Sequence, residues 1–261
     1  MYSDIARLAS GTVAASSVAI GGSLILTRMF DPSAFGGLAV FIAVVAAVTP
    51  IINLRLDLAI PLATSSEEAR GLVWLSCMSA LLVSMIAWLV ALLVAPAKLA
   101  LESSQIPVAL IPLTLLLTGL LGVLSYWNSR LSRFGLIAAA KVLQQVVTLV
   151  VSVALALFAE ATALSLIAGY VIGLATGVGL LLVVSASRGW TLASFGVSAV
   201  YLRRLARQHK AFPLLDSWSG VINVFSAQLP NFVLAVAYGN TVVGSYALSQ
   251  RVLGVPSSVL G

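Results

Sequence analysis

Long uncharged stretches, each closed by a short polar connection, decide what this chain can fold into. Crossing the hydrocarbon core of a bilayer takes about 20 residues of helix, because lipid offers backbone groups no hydrogen-bonding partner and a helix satisfies its own. Residues 8–27 have that length and end at residues 28–32, where a charged pair and a proline suit a turn. Residues 33–54 follow, with Pro50 near their end, and residues 71–95 come after a polar segment. Residues 106–128, 134–159 (interrupted only by Lys141) and 161–187 complete a set of six. A seventh run starts near Leu214 or Trp218 and ends at Gly239-Asn240, and an eighth begins at Val242 and is still running at Gly261. Composition agrees with a lipid environment: 8% of residues are charged, against about 25% in an ordinary soluble chain.

The basic residues orient this set. With the N-terminus in the cytoplasm, the inner segments hold Arg7, Arg55, Arg70, Arg130, Arg133, Arg188, Arg203, Arg204, Arg207 and Lys210, and the outer ones hold Arg28 and Lys98. Such an excess is the positive-inside bias of short loops, and it predicts a cytoplasmic N-terminus. The net charge of +6 is dispersed between apolar runs, which argues against nucleic acid as a partner. Residues 188–216 are too charged to span. Within them, residues 201–207 fit an amphipathic helix on the cytoplasmic face, with arginines among lipid head groups, and the whole segment also reads as a linker between bundles.

Residues 26–36 can be laid over residues 234–244, an offset of 208 positions. Phe30 then falls on Tyr238, Asp31-Pro32 on Gly239-Asn240, and Gly36 on Gly244. Transporters are often built from two related halves that rock about a central site. The repeat predicts a six-helix bundle in residues 1–187, a basic linker in 188–216, and the first two helices of a second bundle in 217–261, whose remainder lies beyond this sequence.

Ionised or amide side chains inside a membrane face a bundle interior or an aqueous cavity, so they mark candidate sites. Lys141, Gln144, Gln145, Thr148 and Ser152 continue one face of the fifth helix, as a cavity wall for an anionic or sugar-rich ligand or with Lys141 snorkelling to the interface. Arg251 lies near the middle of the eighth helix, where snorkelling is harder. Asn223 and Gln228, with Asn231, line a cavity or bond across a helix interface. Arg55 and Asp57 close the second helix but, two residues apart, share no helical face; they pair with neighbours at the inner mouth, meet a head group, or serve as an interfacial cap. Gly169, Gly173 and Gly177 recur at four-residue spacing and would let two helices approach closely.

Signals of enzymatic chemistry are missing. His209 is the single histidine and Cys77 the single cysteine, neither with a partner set in sequence, and no phosphate-cradling GxxxxGK motif occurs. No cofactor or metal is expected. Coupling to a proton or sodium gradient would need a titratable or ion-binding site, and the sequence singles out none.

The stretch from Arg28 through Phe35-Gly36 to Arg55, Asp57 and Ala59-Ile60 resembles the opening of bacterial polysaccharide flippases. These are the O-antigen and exopolysaccharide translocases of the superfamily that also holds multidrug and toxin extrusion (MATE) transporters. Leu229-Pro230, the segment from Gly244 to Tyr246, Arg251 to Leu253, and residues 256–261 resemble the start of their second half. The resemblance implies an all-α polytopic membrane protein with a MATE-like two-bundle fold around a V-shaped cavity. It implies translocation of undecaprenyl-pyrophosphate-linked oligosaccharide across the bacterial inner membrane for O-antigen or exopolysaccharide synthesis. Implied partners are that polyprenyl-pyrophosphate-linked oligosaccharide, membrane lipid, and polysaccharide polymerase or export proteins. By carry-over, Lys141 and Arg251 belong to a cationic cavity that accepts the pyrophosphate.

Three rivals remain. A cation-coupled multidrug or metabolite exporter would place an acid at mid-membrane depth, which this sequence does not. A peptidoglycan lipid-precursor flippase would share most of the same physics. A noncatalytic membrane assembly protein would use the polar stripes as interface glue.

Overall fold

The computed structural model describes residues 15–19, 21–94, 107–187, 198–210 and 212–260, with the side chains of 94, 199 and 251–260 excepted. Among these residues every regular element is helical. Helix α1 lies within Ala15–Leu26. It is followed by α2 (Pro32–Ile52), a 3-10 turn (Leu56–Ala59), α3 (Ser66–Val94), α4 (Leu110–Arg130), α5 (Phe134–Phe158) and α6 (Ala163–Ser187). Then come α7 (Ala199–Gln208), a wide turn (Phe212–Asp216), α8 (Ser217–Tyr238) and α9 (Asn240–Leu260). Among the described residues six segments are long and apolar enough to cross a membrane: α2 to α6, and α8 with the turn before it. Their outward faces carry large bare side chains, with Met85 72%, Phe158 88% and Val236 91% exposed. Such surfaces belong in lipid, not water. The chain is a multi-pass membrane protein.

Helix limits fall within a few residues of those read from the uncharged runs, with one instructive difference. Helix α3 starts at Ser66 rather than Gly71. Ser65 Oγ accepts the Glu68 N–H at 3.0 Å, and Glu68 Oε2 takes the Thr64 N–H and hydroxyl, each at 2.8 Å. This reciprocal cap satisfies free N–H groups and lets a charged first turn be helical. At the far end, Gly239 adopts φ +78°, a conformation glycine reaches without a Cβ penalty, and α9 restarts at once. Residues 8–14 of the first apolar run lie outside the described residues.

Helix α2 is the hub, packing against α9, α8, α6 and α4. A Cβ on Gly36 would overlap the Asn240 carbonyl, and one on Gly244 would overlap the Pro32 carbonyl. At the 208-residue offset, Pro32 corresponds to Asn240 and Gly36 to Gly244, so this contact is reciprocal. Lipid gives helices no hydrophobic reason to associate; small residues that admit close backbone approach supply van der Waals contact instead. The same device joins α5 to α6, where Gly169 and Gly173 lie against Ser152 and Thr148, and a Cβ on Gly177 would lie 3.5 Å from Gln144 Cβ.

Two apolar clusters lie toward opposite ends of the bundle. One, built on Leu56, Ile60, Leu72, Val123, Leu124, Leu181 and Leu205, sits where Arg55, Arg70, Arg130 and α7 gather. The other is built on Phe30, Phe35, Leu38, Phe41, Leu115, Leu166 and Ile167. The amphipathic segment expected at 201–207 is indeed helical, as α7. Leu205 is buried against Gly71, His209 Nε2 lies 3.0 Å from Glu68 Oε1, and Arg203, Arg204, Arg207 and Lys210 remain exposed.

Candidate functional site

The site begins where α2 stops. Ser79 Oγ of α3 donates to the Ile52 carbonyl at 2.8 Å, satisfying one acceptor that a helix end leaves free. Leu54 and Arg55 then take φ of 49° and 56°, both left-handed. That conformation costs about 1–2 kcal/mol for each L-residue, so it persists only where the surroundings dictate it. Here they do. Leu56 and Ile60 are buried on the far side of the turn, and Asn53 Nδ2 donates to the Gly119 carbonyl of α4 at 3.0 Å. The Arg130 guanidinium of α4 binds the carbonyls of Ile60 at 3.2 Å, Ala63 at 2.6 Å and Ser65 at 3.3 Å.

The consequence is a pair of charges turned inward. Arg55 and Asp57 line one cleft of about 450 Å³ between the end of α2, α4 and α8, together with Thr49, Thr118, Ser125, Tyr126 and Val224. Gly220 of α8 faces the Arg55 guanidinium, which a Cβ there would meet. Asp57 Oδ2 accepts from Asn53 Nδ2 at 3.3 Å. Asp57 Oδ1, Asn53 Oδ1 and Arg55 Nε are buried with no hydrogen-bond partner. Burial pushes the Asp57 carboxyl above the usual carboxylate range; the Asn53 amide, backbone N–H groups and the Arg55 charge pull it down without cancelling that effect. Buried polar groups are normally paired, so three unmet atoms in one cleft single it out as a candidate site.

Of the other residues singled out from sequence, Lys141, Gln144, Gln145, Asn223 and Gln228 do not line this cleft. Lys141 is exposed on α5, Gln144 packs near Gly177 and Gly173 of α6, and Gln145 is half-buried. Asn223 is exposed on α8, and Gln228 accepts from Asn231 Nδ2 at 2.8 Å within the same helix. The side chain of Arg251 lies outside the described residues. Sequence reasoning placed none of Asn53, Gly119, Tyr126 and Gly220 at a site, and used Arg130 only to orient the helices. Only Asn53 carried a signal, as the first amide after a long apolar run. Among the described residues, no group of three or more His, Cys, Asp or Glu side chains could hold a metal ion.

What the cleft offers is a guanidinium with an unused donor beside a half-used carboxylate, at the arginine-rich end of a membrane bundle. A family model described as "Polysaccharide biosynthesis protein" matches residues 25–261, a span that includes every residue of the cleft. No curated protein and no solved structure matches the chain. The chain belongs to this polysaccharide biosynthesis protein family of multi-pass membrane proteins.

Proposed function

We propose that this protein translocates undecaprenyl-pyrophosphate-linked oligosaccharide across the bacterial inner membrane, with its arginine-rich end in the cytoplasm and its cleft as the loading site. The observation that carries the reading is Arg55, held at the cleft with a buried, unpartnered Nε. Moved unaided, such a lipid would drag a charged pyrophosphate and many hydroxyls through hydrocarbon. A polar cleft keeps the head group solvated while the prenyl tail stays in lipid, and a planar guanidinium matches phosphate oxygens two at a time. Lys141 and Arg251 would supply further positive charge along the route. The reciprocal crossing of Gly36 and Gly244 supports two related halves meeting at α2 and α9, the arrangement that lets bundles rock around a fixed site. A drug exporter would offer acid to its cationic cargo. This cleft sets an arginine in the same lining as its acid, and the spare donor suits an anion.

The test is complementation of a strain lacking its own polysaccharide flippase with the full-length gene. Arg55→Ala should abolish surface polysaccharide and let lipid-linked oligosaccharide accumulate at unchanged protein level in the membrane. Arg55→Lys should restore part of the activity, since the charge returns without the fork. Normal export by both Arg55→Ala and Lys141→Ala would remove the case for a cationic substrate path.

A further inference from the structure

We propose that Asp57 binds a proton when Arg55 engages a pyrophosphate and gives it up when the cleft empties, so that occupancy of the site is linked to proton uptake. This rests on the reading of the cleft as a pyrophosphate site and adds the coupled group to it.

The argument is first one of charge. Asp57 and Arg55 line the same cleft, a cation and an anion that balance while nothing is bound. A pyrophosphate drawn to Arg55 would bring negative charge beside a carboxylate in a poorly solvated place. Like charges held close in such a setting do not both stay ionised, and the group whose neutral form is nearer at hand takes the proton. Asp57 is that group, because burial already favours its neutral form.

The second argument is one of hydrogen bonds. Asp57 Oδ1 and Asn53 Oδ1 are both buried acceptors with no donor. A proton on Asp57 Oδ1 removes one unmet acceptor and creates a donor in the neighbourhood of the other. The Asn53 amide already holds Oδ2 at 3.3 Å, which leaves Oδ1 as the free oxygen. The proton arrives from solvent and returns to it. No covalent bond other than O–H forms or breaks.

Other groups around the turn are occupied or uncharged. From α4, Tyr126 lies within electrostatic reach of both Arg55 and Asp57, and Arg130 is spent on the carbonyls of residues 60–65. From α3, Glu68 is bound by Thr64 and His209. From α8, the cleft meets Gly220 and Val224, and Asp216 before them is exposed. Asp57 is thus the group beside Arg55 whose charge changes when the ligand arrives. By reciprocity, a proton that favours the ligand is favoured by it to the same degree.

Binding of farnesyl pyrophosphate to the purified full-length protein in detergent, followed by calorimetry from pH 5.5 to 8.5 in buffers of different ionisation enthalpy, tests this. For the wild type we expect net proton uptake on binding, beyond that of the probe itself, and affinity that weakens by up to tenfold per pH unit as pH rises between the Asp57 pKa values of the free and loaded states. Asp57→Asn, a fixed neutral mimic, should bind at pH 8.5 at least as tightly as the wild type does at pH 6. Its residual pH dependence should be that of the probe alone. Arg55→Ala should not bind. Equal pH dependence in wild type and Asp57→Asn, or no excess proton uptake by the wild type, overturns the linkage while leaving the pyrophosphate site intact. Binding that survives Arg55→Ala overturns the site reading, and the linkage with it. The proton count is read on the wild type, so the outcome does not depend on the variant folding.

Discussion

The two ends of this bundle hold their helices together by different means. At the end marked by Phe30, Phe35 and Phe41, α2 and α9 meet backbone to backbone, glycine against carbonyl, with an apolar cluster beside them. At the arginine-rich end, side chains reach across to carbonyls instead: Asn53 to Gly119, Ser79 to Ile52, and Arg130 to Ile60, Ala63 and Ser65. Both are answers to one problem, since hydrocarbon around the helices is as apolar as their own side chains. The difference lies in what each leaves free. Glycine-to-carbonyl packing closes the α2–α9 crossing itself and leaves beside it only a smaller cleft of about 280 Å³, lined by Asp31, Ser33, Thr162 and Asn240. Hydrogen-bonded packing leaves a cleft with atoms still unmet.

On that contrast, the largest loss of stability should come from the close-packed end. Gly244→Leu places a side chain where the Pro32 carbonyl now sits, and backbone cannot step aside as a side chain can. We expect a loss of about 3 kcal/mol, the upper range for overpacking, read as early thermal unfolding of the full-length protein in detergent. Gly36→Leu should match it, because the contact is reciprocal. A tolerated Gly244→Leu would break the comparison.

Arg130→Ala comes next. It strips donors from the carbonyls of Ile60, Ala63 and Ser65 at once, and bonds from a charged donor are worth about 1.5–3 kcal/mol. We expect about 2 kcal/mol less stability. The larger effect should fall on transport, because the left-handed turn that aims Arg55 and Asp57 loses its clamp. Arg130→Lys, with one compact charge, should recover stability better than transport. Equal recovery of both would show that the clamp is only structural.

How far the sequence announced all this depends on which force set each element. In lipid, length without charge is almost sufficient for a spanning helix, so residues 134–159 and 161–187 foretold α5 and α6 to within two residues. The start of α3 was hidden because Glu67, Glu68 and Arg70 looked like a loop. The cap from Ser65 to Glu68, with its S-x-x-E spacing, was the signal that could have corrected it. On α5, the polar stripe and the α6 glycines were each legible, but nothing in either stretch said that Thr148 and Ser152 would lie on Gly173 and Gly169. The cleft was least legible. Arg55 and Asp57 stood out as charges, yet their convergence depends on a left-handed Leu54-Arg55 pair, and neither residue type advertises that conformation.

Gly220→Ala sharpens the comparison from the functional side. The added Cβ meets the tip of a flexible guanidinium, not backbone, so Arg55 can move away. We expect less than about 1 kcal/mol change in stability, as for most substitutions that displace only a movable tip, with farnesyl pyrophosphate binding clearly weakened. The two glycine substitutions should therefore separate: Gly244→Leu unfolds the protein, and Gly220→Ala leaves it folded with a displaced arginine. Binding equal to wild type in Gly220→Ala would mean that the position of Arg55 does not matter.

The smallest effect should come from His209→Ala, at the outer edge of the arginine-rich end. His209 Nε2 and Glu68 Oε1 are 3.0 Å apart, with side chains 17% and 11% exposed, and α7 is also held by Leu205 against Gly71. Partly exposed ion pairs contribute roughly 0.2–1 kcal/mol, so the apolar contact should dominate. Limited trypsin digestion reads this directly, because Arg203, Arg204 and Arg207 are exposed on α7 and become cleavable only when the helix lifts and unwinds. Cleavage in His209→Ala should speed up by no more than about fivefold, the factor that the top of this range gives. Leu205→Ala should speed it considerably more, since the buried leucine at 3% exposure is lost entirely. The reverse order would mean that this end relies on its polar contacts even where apolar ones are available, and that hydrogen bonding, not the need for a cleft, governs how it is built.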